Sequence, residues 1–199
     1  ASVERLPEGH WLDPGQVVLR IVGPYRAFGL YETALIGALA SETGWATAAA
    51  ACVDAAGNVD AGGVPVVHFG ARHVHPDVSR RLEYAAVVGG CAGCATPAGA
   101  ALAGLEASGT MPHALILLFG DTVPAAVAFD RHAPAEVKRT VLVDTFLDEA
   151  AESERVAAAM GERLWGVRLD TPSELGGVTP ELVARVRARL DAGGHRAVR

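Results

Sequence analysis

Two short turns rich in polar residues each follow an apolar, β-branched run in the second half of the chain. The run at 139–142 leads into Val143-Asp144-Thr145, and the run at 164–167 leads into Arg168-Leu169-Asp170, with a helical pattern after each turn. A third polar turn, at 109–114, places His113 beside a predicted helix start. Ligands bind where parallel strands end at their carboxyl termini. The alternation therefore predicts a parallel α/β architecture with a site at that rim.

Composition narrows the classes of function. The chain has 199 residues, half of them hydrophobic, and a net charge of −6 with its basic residues scattered, so neither nucleic acid nor a membrane surface is an expected partner. No apolar stretch reaches the roughly 20 residues that cross a bilayer, and no signal-peptide pattern opens the sequence. Three cysteines, Cys52, Cys91 and Cys94, are too few for a disulfide scaffold. We expect a protein of the reducing cytoplasm.

Hydrophobic periodicity and helix-start signals predict the order of elements. Strands are predicted at 17–22, 64–67, 85–88, 139–143 and 164–168, with one more starting at 196–199, and helices at 28–40, 46–55, 76–86, 96–105, 112–119, up to 129, 147–160 and 179–192. The polar, glycine-bearing connection at 57–63 is the predicted boundary between a first domain, 1–62, and a second, 63–199. Because the pattern stops at the start of a strand, we expect the second domain to be truncated.

Four motifs, in this order, resemble the nicotinate phosphoribosyltransferase family, particularly its shorter archaeal-type branch. They are Phe69-Gly70-Ala71-Arg72-His73-Val74-His75-Pro76, Gly109-Thr110-Met111-Pro112-His113-Ala114, Val143-Asp144-Thr145 and Arg168-Leu169-Asp170-Thr171-Pro172. The resemblance implies part of an irregular (β/α) barrel of the type II phosphoribosyltransferase kind, preceded by part of an N-terminal α/β domain. It also implies that the glycine-rich phosphate turns of the family lie beyond residue 199.

The same resemblance implies an activity in NAD biosynthesis. The family transfers the phosphoribosyl group of phosphoribosyl pyrophosphate to nicotinate, which gives nicotinate mononucleotide and pyrophosphate, and couples this step to ATP hydrolysis through a phosphohistidine. Mg²⁺ is the implied cofactor, with ATP and phosphoribosyl pyrophosphate as co-substrates. A partner subunit supplies one wall of the base pocket in this family, so we expect a homodimer or a higher homo-oligomer. The other expected partners are small-molecule substrates.

Residue roles follow from the matched motifs. His113 corresponds to the phosphorylated histidine, and a helix N-terminus suits a neutral imidazole that accepts a negative phosphoryl group. Asp170 is implied to bind the ribose hydroxyls, Arg168 the phosphate or pyrophosphate, and Thr110 the substrate, while Asp144 faces the same cleft and reaches Mg²⁺ through water. Purely structural roles are the alternatives. His113 could be a helix-capping histidine, and Arg168 and Asp170 could form a surface ion pair.

The predicted base pocket contains one departure from the family pattern. Phe69 is implied to stack on the pyridine ring, although a lone Phe after a strand is commonly ordinary core, and Arg72 to attract the anionic groups of the substrate. Where the family commonly has Gly-Gly-x-Asp-Gly, the chain reads Gly89-Gly90-Cys91-Ala92-Gly93. Ala92 thus replaces an acceptor near the base, so a paralogue that acts on another pyridine or heteroaromatic base is an alternative.

Two further alternatives remain from the residues themselves. A metal or redox site is suggested by a His-x-His and a Cys-x-x-Cys pattern among His68, His73, His75, Cys91 and Cys94. That spacing is incomplete for a structural zinc site, which needs four ligands. A non-catalytic homologue is the other alternative, since Ala92 removes a polar group from a matched motif.

Overall fold

The chain divides by its own contacts into two units, Ala1–Gly109 and Thr110–Arg199. The computed structural model describes residues 1–57, 59, 62–146 and 148–199. Most of the predicted connection at 57–63 is described, but residues 58, 60 and 61 lie outside the described residues. The boundary predicted at 62/63 differs from this division and stays a prediction.

The first unit contains an antiparallel strand pair, a long helix and a parallel βαβ unit. Its elements are β1 Ser2–Arg5, β2 Leu19–Val22, α1 Glu32–Ala56, β3 Val67–His68, α2 Pro76–Val88, β4 Gly93–Cys94 and α3 Pro97–Leu102. Strands β1 and β2 pair antiparallel, whereas β3 and β4 pair parallel with His68 opposite Cys94. The residues that follow His68 and Cys94 therefore leave the pair at the same edge.

Helix α1 corrects one prediction. The sequence predicts two helices, 28–40 and 46–55, with a break at Gly44, but α1 runs without interruption from Glu32 to Ala56. A glycine inside a helix costs only about 1 kcal/mol relative to alanine, and the surrounding alanines are the best helix formers. The helix ends instead at Gly57, whose φ of 78° suits a glycine.

Helix α2 corrects the prediction of a strand at 85–88. The predicted strand at 85–88 is the last turn of α2, which continues from Pro76 to Val88. Leu82, Ala85 and Ala86 are buried together because they lie at helical spacing on one face. A short apolar run does not by itself distinguish a strand from a buried helical turn. The strand that does precede the next helix is β4, inside the glycine-rich segment.

The second unit alternates helices with a pair of parallel strands. Its elements are α4 His113–Phe119, α5 Thr122–His132, β5 Thr140–Leu142, α6 Glu149–Met160, β6 Gly166–Arg168 and α7 Pro180–Ala192. The predicted helix 147–160 is described from residue 148 onward, since residue 147 lies outside the described residues. The predicted strand at 196–199 does not form, although Arg199 bonds beside β6 through Val167 N to Arg199 O, 2.8 Å, and Arg199 N to Trp165 O, 3.1 Å.

The core of the second unit holds β5 and β6 against the helices. Val141, Leu142 and Val143 are almost completely buried among apolar side chains of α5, α6 and α7. Such a core fixes the strand ends because dense packing leaves buried side chains little freedom. No single described helix is both long and apolar enough to cross a bilayer; α4 and α5 meet that test only together, bent by 115°.

Side-chain caps set the starts of the helices that follow the strands. Asp148 accepts a hydrogen bond from Ala151 N at 3.1 Å, and Thr179 accepts one from Leu182 N at 3.2 Å. Each cap satisfies a backbone donor that the helix leaves unpaired. Asp148 adopts φ 80°, in the left-handed region, directly before the first residue of α6. These caps confirm the predicted order of strand, polar turn and helix.

Candidate functional site

The carboxyl ends of β5 and β6 lie side by side in the second unit. Val141 is opposite Val167 and Leu142 opposite Arg168 in the parallel register, and Val143 N donates to Arg168 O at 3.3 Å. The polar turns that follow the strands therefore emerge together. This is the rim that the sequence predicts as the site, and it carries the side chains of Asp144, Thr145 and Asp170.

His113 is the first residue of α4, one residue inside the helix start predicted from Pro112. Its Nδ1 lies 3.0 Å from Thr145 Oγ1. Its Nε2 lies 3.5 Å from Asp170 Oδ2 and 3.9 Å from Asp144 Oδ2, and 38% of the side chain is exposed. One imidazole thus faces a hydroxyl on one side and two carboxylates on the other, while its exposed part remains open to a ligand.

Arg168 and Asp170 point to the same side of the strand, as their two-residue spacing predicts. Arg168 Nη2 donates to Asp170 Oδ2 at 2.8 Å, and Arg168 Nη1 donates to Thr110 Oγ1 at 3.0 Å. The guanidinium therefore connects the turn before α4 to the turn after β6. Thr110, His113, Asp144, Arg168 and Asp170, all predicted from the sequence, meet within the second unit.

Asp144 is the buried acid of the group, with only 2% of its side chain exposed. Burial raises the pKa of Asp144 because a low-dielectric environment disfavours the ionised form, while the nearby His113 opposes that rise. Among the described residues, Asp144 Oδ1 has no hydrogen-bond partner. A buried acceptor without a partner is costly. This oxygen therefore fits a bound group that supplies a donor or a positive charge.

A metal site needs several ligating side chains close together. Within the described ranges, no group of three or more His, Cys, Asp or Glu side chains is arranged to hold a metal ion. The residues proposed for such a site do not assemble one there, and the thiols of Cys91 and Cys94 are free and buried. Burial raises the pKa of both thiols, which favours the unreactive protonated form.

The residues of the predicted base pocket belong to the first unit. Phe69 directly follows β3, and Arg72 lies in the 3₁₀ turn Gly70–His73 that comes next. Phe69 is 39% exposed, so it is not a fully buried core residue, which was the structural alternative to a role in stacking. Ala92 is exposed, and its N–H donates to Val66 O at 2.8 Å. Its methyl group therefore lies on an accessible surface just before β4.

The sequence analysis did not identify two carboxylates, one that binds the loop after β4 and one that binds the turn after β6. Glu83 of α2 is completely buried and accepts hydrogen bonds from the backbone N–H groups of Ala95 and Thr96, both at 3.0 Å. Glu149, at the start of α6, accepts a hydrogen bond from Thr171 Oγ1 at 2.8 Å, directly after Asp170. Glu83 could have been identified from the sequence, because it lies on the apolar face of a predicted helix. Charged residues are rarely buried there without partners.

Two family models together match most of the chain. The family model described as quinolinate phosphoribosyl transferase, N-terminal domain, matches residues 1–42, and the C-terminal domain model matches residues 45–192. A solved structure, nicotinate-nucleotide pyrophosphorylase from Pyrococcus furiosus, is 43% identical with a TM-score of 0.88, and the match covers 98% of this chain and 49% of that one. The similarity confirms the expected α/β fold of the type II phosphoribosyltransferase kind.

The chain is also similar in sequence to curated proteins that are named nicotinate phosphoribosyltransferases. Nicotinate phosphoribosyltransferase pncB2 of Mycobacterium tuberculosis is 32% identical over 196 residues, which covers 94% of this chain and 39% of that protein. Nicotinate phosphoribosyltransferase of Bacillus subtilis is 28% identical over 195 residues, covering 95% and 37%. The chain thus spans about two fifths of the length of the curated relatives it matches.

Proposed function

This chain belongs to the quinolinate phosphoribosyltransferase family, and from that premise we propose that the protein transfers the phosphoribosyl group of phosphoribosyl pyrophosphate to nicotinate. The products are nicotinate mononucleotide and pyrophosphate, and ATP hydrolysis is coupled through His113. The observation that carries the proposal is the imidazole of His113 between Thr145 and the carboxylates of Asp144 and Asp170. The names of the curated relatives support nicotinate as the base.

His113 is the residue that accepts the phosphoryl group in this proposal. Two carboxylates face Nε2 and favour a proton on that nitrogen, whereas Nδ1 faces the neutral hydroxyl of Thr145. The lone pair of the neutral ring is then on Nδ1, where it accepts a hydrogen bond from the Thr145 hydroxyl until that hydroxyl turns to the incoming phosphoryl oxygens. The P–N bond forms there as the bond between the γ-phosphorus and the ADP oxygen breaks. The Nε2 proton stays toward Asp170, whose charge stabilises the phosphorylated ring.

Asp170 and Arg168 act on the phosphoribosyl donor. Asp170 is 47% exposed at the rim, so its carboxylate can accept hydrogen bonds from vicinal ribose hydroxyls. A fixed negative charge there stabilises the positive charge that develops on the ribose as pyrophosphate leaves. Arg168 is oriented by Asp170 and Thr110, and its planar guanidinium suits phosphate oxygens.

Asp144 is the residue that would hold Mg²⁺. Its buried Oδ1, without a partner among the described residues, fits an ion that takes one or two protein carboxylates and completes its shell with water and substrate phosphates. When bound, Mg²⁺ neutralises phosphate charge. The Asp144 carboxyl group lies 3.9 Å from His113 Nε2 and, together with Asp170, favours a proton on that nitrogen.

The base is assigned to the first unit. Phe69 offers a partly exposed ring for stacking, and Arg72 offers a positive charge for the pyridine carboxylate. In this proposal the protein works in the cytoplasm as a homodimer or a higher homo-oligomer, and a second subunit completes the wall opposite Phe69. A non-catalytic homologue is the alternative to an enzyme, whereas no group of metal-ligating side chains assembles among the described residues.

Quinolinate is the second candidate base, favoured by the family models that match the chain. Its extra carboxylate would have to leave as carbon dioxide for the same nucleotide to form. Because Ala92 supplies no acidic group, the surface before β4 does not repel a second carboxylate. ATP coupling is not part of this alternative.

The test uses the purified whole protein, which is assayed in the presence of Mg²⁺ and phosphoribosyl pyrophosphate. Nicotinate, quinolinate and nicotinamide are supplied separately, with and without ATP, and nucleotide, pyrophosphate and carbon dioxide are quantified. We expect nicotinate mononucleotide from nicotinate at a rate that ATP increases. Carbon dioxide release from quinolinate without an ATP effect would establish the second candidate, and no nucleotide from any base would reject both.

A further inference from the structure

A line of polar side chains crosses the first unit from α1 to the loop after β4. Trp45 Nε1 donates to His68 Nε2 at 2.9 Å, and the two rings meet edge to face with centroids 5.5 Å apart. The other imidazole nitrogen, Nδ1, lies 4.0 Å from Glu83 Oε1. Glu83 also binds the hydroxyl of Thr96 through a short hydrogen bond. Side chains from α1 and α2 thus meet at one histidine of β3, and Glu83 connects it to the loop after β4.

Glu83 fixes the loop that follows β4. Its Oε1 accepts hydrogen bonds from the N–H groups of Ala95 and Thr96, both at 3.0 Å, and it is completely buried. The first turn of α3 packs directly on this side chain, because a methyl group added at Gly99 would lie 2.7 Å from Glu83 Cβ. Removing the carboxylate would leave buried backbone donors without partners, which is costly. Glu83 therefore has one orientation.

His68 supports the turn after β3. It is the last residue of β3, directly before Phe69, and its ring packs against the backbone of Gly70. A methyl group at Gly70 would lie 2.7 Å from His68 Nε2 and 3.3 Å from Trp45 Cζ2. The imidazole and the indole therefore form the surface on which the turn Gly70–His73 rests.

The hydrogen bond from Trp45 selects one form of His68. An indole N–H can only donate, so His68 Nε2 must carry a lone pair, and the proton of the neutral ring is on Nδ1. That N–H points toward Glu83, although the separation leaves Nδ1 without a hydrogen-bond partner among the described residues. Burial lowers the pKa of His68, which keeps the ring neutral, while Glu83 partly opposes this effect.

We propose that Trp45, His68 and Glu83 are positioning residues for base recognition. They hold His68 as the Nδ1–H tautomer, and the ring in turn fixes the backbone that presents Phe69 and Arg72 to the base. This inference rests on the proposed function for the identity of the base. It adds residues that do not touch the substrate themselves and act through the turn Gly70–His73.

The test substitutes Trp45→Phe in the whole protein, with Trp165→Phe as the matched control. Phenylalanine keeps an aromatic ring but removes the N–H donor, and Trp165 contacts the side chains of Lys138 and Arg199 instead. Tautomers are assigned by long-range ¹⁵N–¹H NMR of the histidine rings. Kd for nicotinate is measured by titration, alongside KM for nicotinate and for phosphoribosyl pyrophosphate.

We expect Trp45→Phe to populate the Nε2–H tautomer of His68 and to raise Kd and KM for nicotinate about fivefold, the scale of one lost hydrogen bond. The KM for phosphoribosyl pyrophosphate should change less than twofold, and Trp165→Phe should change neither constant. Glu83→Gln, which retains an acceptor but removes the charge, should act in the same direction. Circular dichroism and the melting temperature show whether each variant is folded.

The two proposals fail separately. If the wild-type protein forms no nucleotide but Trp45→Phe still weakens nicotinate binding and shifts the tautomer, the proposed function is rejected and the positioning role stands. If neither Kd nor KM for nicotinate responds to Trp45→Phe, the positioning role is overturned, whatever the activity. An unchanged His68 tautomer in a folded Trp45→Phe variant overturns it as well.

Discussion

His113 and Asp170 approach each other across the rim of the second unit, with Nε2 of the imidazole 3.5 Å from Oδ2 of the carboxylate. The same carboxylate oxygen accepts a hydrogen bond from Arg168 at 2.8 Å. Asp170 is therefore shared between the residue proposed to carry phosphate from ATP and the residue proposed to bind the phosphoribosyl donor. Substitutions on either side of this contact should separate the two half-reactions.

His113→Ala should abolish stimulation by ATP and leave slower, uncoupled phosphoribosyl transfer. The reason is that Arg168 and Asp170 still bind the donor and stabilise the developing cation. Initial rates with and without ATP, together with acid-labile phosphate incorporated from labelled ATP, measure both effects. A variant that still incorporates acid-labile phosphate and still responds to ATP would make His113 a structural histidine.

Asp170→Asn should behave differently from His113→Ala. Asparagine preserves the shape but removes the charge that faces the ribose, so transfer should fall by about 100-fold both with and without ATP, the scale of one lost electrostatic contact in a transition state. The comparison uses kcat/KM for phosphoribosyl pyrophosphate in both variants. Loss of the ATP effect alone in Asp170→Asn would remove Asp170 from the ribosyl-transfer step.

Asp144→Asn should stabilise the fold at neutral pH while it reduces activity. Burial raises the pKa of Asp144 above its ordinary value of 3.8, so the folded state binds this proton more tightly than the unfolded state does. The ionised acid therefore costs stability above its folded pKa, and the cost disappears below 3.8, where both states are protonated. Urea unfolding at pH 7 and at acidic pH measures the difference.

The matched control for this experiment is Asp170→Asn, because Asp170 is half exposed and pairs with Arg168. Its unfolding free energy should not rise at neutral pH. An Asp144→Asn variant that is less stable than the wild type at pH 7 would contradict the assignment of burial as the dominant influence on Asp144. Equal effects at both pH values would contradict it as well.

Ala92→Asp should change the preference among pyridine acids without disturbing the fold. Ala92 is exposed, and its backbone N–H donates to Val66 O. A carboxylate there should disfavour quinolinate relative to nicotinate, since quinolinate carries one more negative charge. The ratio of kcat/KM for the two bases is the measurement, with Ala92→Asn as the uncharged control. If both variants keep the ratio of the wild type, residue 92 does not face the base.

Two glycine-to-alanine substitutions should have opposite effects on stability. Gly44 lies inside α1, and an added methyl group would meet nothing within 4 Å. Gly44→Ala should raise the free energy of unfolding by about 0.5–1 kcal/mol. Gly99→Ala should lower it by about 1–3 kcal/mol, because the methyl group would displace Glu83. Denaturant titrations of both variants test the pair, and a stabilising Gly99→Ala would refute the packing of α3 on Glu83.

The part of the site in the second unit was predictable because it depends on strand ends. Parallel pairing of β5 with β6 brings Asp144 and Asp170 together, and the spacing of Arg168 and Asp170 already places them on one side. His113 was predictable from the proline before it and the apolar helix after it. Local sequence patterns predict the strands and the helix start, and the general rule that parallel strands end at one edge supplies their long-range pairing.

The contacts by which Glu83 and His68 support the loops after β4 and β3 were not predictable in the same way. Its contacts join residues that are 12 to 23 positions apart, and no local periodicity encodes which backbone donors a buried carboxylate meets. The predicted break at Gly44 was wrong for a related reason. Propensity gives the cost of one glycine, but the alanine-rich sequence on both sides outweighs it.

Helix α1 spans the junction between the two family models, since one match ends at residue 42 and the other begins at residue 45. The helix continues through that junction without a bend-prone linker, so the family boundary is not a hinge. A fragment cut there would divide one helix between two pieces: Glu42, which pairs with Arg81 of α2, would stay on the first piece, while Trp45, Ala49 and Val53 would stay with α2 on the second. The first family domain therefore ends inside a helix whose buried face packs with the second, so a recombination point between relatives belongs at the start of α1 and not within it.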